Sequence, residues 1–140
     1  MSKTGPWTYY VPICGDADED ILYYNMPIGE SFLFNSSRHI VATDLTGITY
    51  VRLLVNKQSV SANSNAKLSL KYSKSFSNTP SDYIDLGLSP VEVNIDVENT
   101  FLKTDWIQIV TQDDVFLAIV GTGGDGIITP GFGNISLEFC

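Results

Sequence analysis

Six residues near the C-terminus, Gly121-Thr122-Gly123-Gly124-Asp125-Gly126, fit the spacing G-x-G-x-x-G. A loop of this kind holds a dinucleotide's phosphates when it leads from a strand into a helix within a βαβ unit. The apolar run Val115-Phe116-Leu117-Ala118-Ile119-Val120 before it reads as a strand, but Ile127-Ile128-Thr129-Pro130-Gly131-Phe132-Gly133 after it cannot be a helix. No Lys-Ser or Lys-Thr follows, so the stretch is not a P-loop either. The reading is structural. Gly121, Gly123, Gly124 and Gly126 tolerate positive φ, and Pro130-Gly131 makes a second turn. Together they carry a long connection into the last strand.

Gly15-Asp16-Ala17-Asp18-Glu19-Asp20 has the D-x-D-x-D opening of a calcium loop. An EF-hand needs Gly at its sixth position and Glu at its twelfth, where this chain has Ile21 and Pro27. Asp16, Asp18 and Asp20 therefore read first as a solvated acidic loop, with an irregular metal site as the alternative. His39 is the single histidine, and no nucleophile-elbow sequence accompanies it, so an ordinary strand histidine is expected. Asp113-Asp114 suits a hairpin turn, where Asp is favoured. No pair of carboxylates is marked out for glycoside cleavage. The expectation is a protein without enzymatic activity and without a cofactor.

Aromatic residues cluster early, at Trp7, Tyr9, Tyr10, Tyr23 and Tyr24. They could close one end of a core, stack on sugar rings, or pack onto a partner, since Trp and Tyr are enriched at contact hot spots. Contact with a partner is the role assigned to these five.

The elements that would position these groups are strands. Val91-Glu92-Val93-Asn94-Ile95-Asp96-Val97-Glu98 alternates apolar and polar without a break, as do Lys67 to Ser73 and Asn134 to Phe139. Period two buries one face and wets the other. Ile48 to Val55 is β-branched and nearly continuous, as a central strand would be. Asp105 to Val110 and Val115 to Val120 read as two arms of a hairpin around Gln112-Asp113-Asp114. Shorter strands are expected at 9–13, 21–24, 31–34, 39–43 and 83–86. No segment holds helical spacing. The expected fold is all-β, an antiparallel, jelly-roll-like β-sandwich over residues 31–140, preceded by an N-terminal arm or edge segment over 1–30.

The chain has 140 residues, enough for one core. Its net charge is -8, with 8 basic and 16 acidic side chains. A nucleic-acid backbone is bound by clustered Lys and Arg. The longest basic stretch, with Arg52, Lys57, Lys67, Lys71 and Lys74, is spaced like one solvated strand face. Neither nucleic acid nor membrane is an expected partner: no run approaches the ~18 apolar residues a bilayer span needs. The first residues carry no apolar core of signal length, so production and use without export are expected. Cys14 and Cys140 are then read as free thiols.

The C-terminal half resembles a loose set of β-sandwich proteins of tailed-phage virions, found as head decorations, head fibres or accessory tail pieces. The resemblance rests on Tyr50 to Val55, Leu68 to Ser73 and Asp105 to Val110, then on Asp114 to Gly121 leading into Gly123-Gly124-Asp125-Gly126 and Pro130-Gly131-Phe132-Gly133-Asn134. It covers roughly residues 45–140, and its signature is structural, with no chemistry attached. It implies a virion structural protein on the capsid surface, assembled in the host cytoplasm. It also implies a homo-oligomer, with a trimer favoured, that contacts the major capsid protein or another virion protein. A carbohydrate-binding module on a fibre or tail is the alternative.

Overall fold

The computed structural model describes residues 7–11, 22–23, 31–33, 40–57, 66–95, 101–122 and 131–140. Among them twelve strands form two antiparallel sheets. In chain order they are β1 (Trp7–Val11), β2 (Leu22–Tyr23), β3 (Ser31–Leu33), β4 (Val41–Asp44), β5 (Tyr50–Lys57) and β6 (Lys67–Ser73). Then come β7 (Ile84–Asp85), β8 (Val91–Asn94), β9 (Phe101–Lys103), β10 (Ile107–Gln108), β11 (Asp114–Thr122) and β12 (Gly131–Phe139).

The register reduces these twelve pieces to eight rows. β1 and β2 lie end to end along one side of β12, whose other side pairs with β5. β9 and β10 lie end to end along the far side of β5. In the second sheet β3 and β4 share one side of β11, and β7 and β8 share one side of β6. Numbered in chain order, the rows run 1-8-3-6 in the first sheet and 2-7-4-5 in the second. That winding is the jelly roll.

Alternation explains the core. Val51, Leu53 and Val55 of β5 point inward, as do Leu68, Leu70 and Tyr72 of β6. Val115, Leu117 and Ile119 of β11 meet Ile135, Leu137 and Phe139 of β12 in the same cluster. Each fully buried Leu or Ile contributes about 1.5–3 kcal/mol relative to exposure. A smaller cluster lies on the outer face of the second sheet, where Tyr83 covers Ala118 and Val120 beside Ile40 and Phe116. Phe76 meets Phe116 edge-on at 5.9 Å. The Tyr83 hydroxyl donates to the Ser77 carbonyl at 2.8 Å and accepts from its N–H at 3.2 Å, and burial pushes the phenol's pKa up.

The expected hairpin over residues 105–120 does not form. β10 belongs to the first sheet and β11 to the second, so residues 109–113 cross between layers. There the Gln112 side chain donates to the Ile48 carbonyl at 2.7 Å, and Asp114 opens β11 opposite Asp44. The basic residues do not share one face either. β5 and β6 lie in opposite sheets, which puts Arg52 on one outer surface of the sandwich and Lys67 and Lys71 on the other. Gly121 and Gly131 are strand residues, not turn residues. Gly121 pairs with Phe32 and Leu68, and Gly131 with Tyr23, because both ladders run on past the expected strand limits. Gly123, Gly124, Gly126 and Pro130 lie outside the described residues. The left-handed glycine that is described is Gly47, φ 80°, in the turn that carries the chain from β4 to β5.

One side of the sandwich is zipped. The Val110 N–H donates to the Leu86 carbonyl and the Leu88 N–H to the Gln108 carbonyl, each at 2.8 Å, so a segment of the second sheet's edge bonds to the first sheet's edge. Gly87 sits at the closest approach. A Cβ there would stand 2.4 Å from the Ser89 carbonyl oxygen and 2.5 Å from Ile107 Cγ2. Gly87→Ala is expected to destabilise the protein by about 1–3 kcal/mol, the cost of overpacking. A urea midpoint equal to wild type would contradict this packing.

Candidate functional site

The outer face of the first sheet gathers Tyr50, Arg52, Phe101, Trp106 and Glu138 into one patch. On β5, Tyr50, Arg52, Leu54 and Asn56 alternate outward against the buried Val51, Leu53 and Val55. The neighbouring row is bulged. Lys103 stands opposite Leu54 and Ile107 opposite Val51, so residues 104–106 face only Arg52 and Leu53. One extra residue reverses the alternation. Ile107 therefore packs on the core, while Trp106 points out and is 36% exposed.

Thr104 holds the bulge. Its N–H donates to the Leu53 carbonyl at 3.0 Å, and its hydroxyl accepts from the Leu53 N–H at 3.1 Å. That hydroxyl also donates to the Asp105 carbonyl at 2.9 Å. The side chain thus replaces the acceptor that the irregular backbone withdraws. Across the patch, Arg52 Nε donates to Glu138 Oε1 at 2.5 Å, and the guanidinium lies 4.5 Å from the centre of the Trp106 ring. The Arg52 and Glu138 side chains are only 25% and 16% exposed, so water screens this pair less than an ordinary surface ion pair. Glu138 fixes Arg52, and Arg52 supports the indole by a cation–π contact. Tyr50 and Phe101 flank the stack on the same face.

The residues assigned to partner contact from sequence fall elsewhere. Trp7, Tyr9 and Tyr10 lie in β1, in register with Phe139, Leu137 and Ser136, and Tyr23 lies in β2 opposite Gly131. Their backbone forms the edge row beside β12. Tyr24, His39, Cys14 and the candidate ligands Asp16, Asp18 and Asp20 lie outside the described residues. Cys140 is an exposed thiol. Sequence reading missed Trp106, Arg52, Tyr50 and Glu138 as a group. The available signal was Trp106-Ile107, two adjacent large apolar residues where strict alternation allows one.

A second feature is a shallow hollow between β4 and β11, bordered by Asp44, Lys74, Asp114 and Phe116. Asp44 and Lys74 are both engaged. Asp44 Oδ1 accepts from the Thr46 N–H and hydroxyl at 2.9 and 2.7 Å. Lys74 Nζ lies 3.1 Å from Asp113 Oδ2, at the surface. Among the described residues no group of three or more His, Cys, Asp or Glu side chains could hold a metal ion, and no helix is long and apolar enough to cross a membrane. Lys67 and Lys71 also face acids: Lys67 lies 3.9 Å from Glu92 and Lys71 3.8 Å from Asp85.

No protein-family model matches this chain, and no curated protein matches it.

Arg52→Ala removes both the ion pair and the support under Trp106, and about 1–3 kcal/mol of stability should go with them. Arg52→Lys should recover only part, since an ammonium lacks the planar fork. Urea unfolding and the Trp106 indole N–H resonance read both effects, and an unmoved resonance in Arg52→Ala would contradict the stack. At the hollow, the hydrogen bond from Lys74 and then that from Thr111 hold the Asp113 carboxyl below its ordinary range. A depressed carboxylate pKa favours the fold above the unfolded value, and that contribution is lost as pH falls through the lowered value. In Lys74→Met, a carboxylate NMR titration should place Asp113 higher than in wild type. An unchanged value would remove Lys74 as the cause.

Proposed function

We propose that this protein is a non-enzymatic structural component of a tailed-phage virion, decorating or stabilising the capsid surface through protein–protein contacts. The observation that carries this reading is the jelly roll in which each of the four edge rows is made of two short strands, β1 with β2, β3 with β4, β7 with β8 and β9 with β10, and not of one long one. Uninterrupted edges would recruit strands from other copies. Broken edges instead suit a brick that stays discrete at high local concentration and meets its neighbours through faces and segments.

Fold alone does not dictate function. Two further points support the reading. The described charged side chains mostly pair with each other across strands and do not converge on a deep cleft. The likeness of residues 45–140 to virion sandwich proteins points the same way. The partner would be the major capsid protein or another virion protein, and the assembly a homotrimer made in the host cytoplasm.

Truncating the N-terminus would strip β1 from its sheet, so it cannot separate partner contact from folding. Two measurements on the intact chain do better. Light scattering on a sizing column should give three chain masses at micromolar concentration. An antibody raised against the chain should decorate the surface of intact virions of the phage that encodes it. Purified virions that carry none of the chain would overturn the proposal, and a strict monomer would remove the trimer.

A further inference from the structure

Trp106 is exposed because of a local device, not by default. Without the extra residue in 104–106, strand alternation would turn its side chain toward the interior. The Thr104 hydroxyl stands in for the lost ladder acceptor and keeps the bulge in place. One face of the indole rests on Arg52, so its exposure belongs to the opposite face and the rim. Arg52 is in turn fixed by Glu138, so the ring is held before any ligand arrives. A preformed aromatic surface loses little conformational entropy on binding.

Charge narrows the ligand. Arg52 is balanced by Glu138, and the exposed Lys103 and Asp105 stand on either side of Thr104, so the patch is close to neutral. Bases of single-stranded nucleic acid also stack on aromatic rings, but they come with a phosphate backbone that needs a basic groove. A near-neutral patch on a chain of net charge -8 does not supply one. The surroundings include polar groups. Exposed Gln108 stands opposite Tyr50, itself 41% exposed, on the same sheet face. Tyr50 is two residues along β5 from Arg52, about 7 Å at strand rise. A pyranose ring has the matching chemistry, with an apolar C–H face for the indole and a rim of hydroxyls for amide, phenol, ammonium and carboxylate groups.

We infer that the outer face of the first sheet is a binding site for neutral glycans, with one sugar ring stacked on Trp106 and the next reaching Tyr50 and Gln108. The site is independent of the virion reading and goes beyond it.

The test is a printed array of neutral, sialylated and sulfated oligosaccharides and bacterial surface polysaccharides, probed with the labelled full chain. Saturable signal on neutral glycans is expected. Trp106→Ala should weaken it about tenfold or more, the scale of one lost stacking contact. Trp106→Tyr should restore part of it. Tyr50→Ala, with an unchanged thermal melt, keeps the test valid if Trp106→Ala fails to fold, and it should weaken binding to the longer neutral glycans. Lys74→Ser, a change at the second sheet, should bind as wild type. No glycan signal from the folded wild-type chain overturns the inference, as does binding confined to anionic glycans or binding that neither substitution weakens. Loss of virion binding in Trp106→Ala, with no glycan signal in wild type, would reassign the patch to a protein contact. A chain that binds glycans but is missing from virions would fail the virion reading alone.

Discussion

The last strand has to seat between the first row and a central one before the first sheet is whole. β12 pairs with β1 and β2 on one side and with β5 on the other, and its inward residues Ile135, Leu137 and Phe139 are all buried. Its end is tied down as well. Cys140 gives its N–H to the Tyr50 carbonyl at 2.9 Å, and its carbonyl accepts from the N–H groups of Thr49 and Tyr50. Partners so far apart in sequence must close long loops before the contacts favour them, which makes such a fold slow to form. The same pairing positions Glu138 beside Arg52, so the surface stack depends on the closure of the sheet.

Two edge rows are interrupted within described segments, with different outcomes. At residues 86–90 the excursion turns back and bonds to β10, closing that side of the sandwich through the backbone. At residues 104–106 it is a single extra residue, and its effect is to turn a tryptophan outward. Both blunt an edge that could template strand pairing with another chain. The first does so by using the hydrogen-bonding groups internally. The second does so while building a surface feature that a regular strand could not present.

The strands were legible because period two is a local signal. Lys67 to Ser73 and the inward set of Ile135, Leu137 and Phe139 lie where alternation puts them, and Ile48 to Val55 overlaps a strand central in its sheet. Which sheet a strand joins is not local. Residues 105–110 and 115–120 read as neighbours and lie in opposite layers, because apolar alternation looks the same from either side of a core. β9 was missed because Phe101-Leu102-Lys103 is too short to show a period. The candidate site was hidden for a related reason. Trp7, Tyr9, Tyr10, Tyr23 and Tyr24 stand out by crowding in sequence. The patch on the first sheet draws on β5, the bulged row and β12, which only folding brings together.

Hydrogen–deuterium exchange on the intact chain tests the underlying claim, that four uninterrupted inner strands hold the fold and the broken rows cap it. Amides in β5, β6, β11 and β12 should exchange slowest and together, through global unfolding. Amides at 84–85, 101–103 and 107–108 should exchange faster, through local opening. Edge pieces protected as long as the inner strands, or inner strands that exchange separately from one another, would contradict the account.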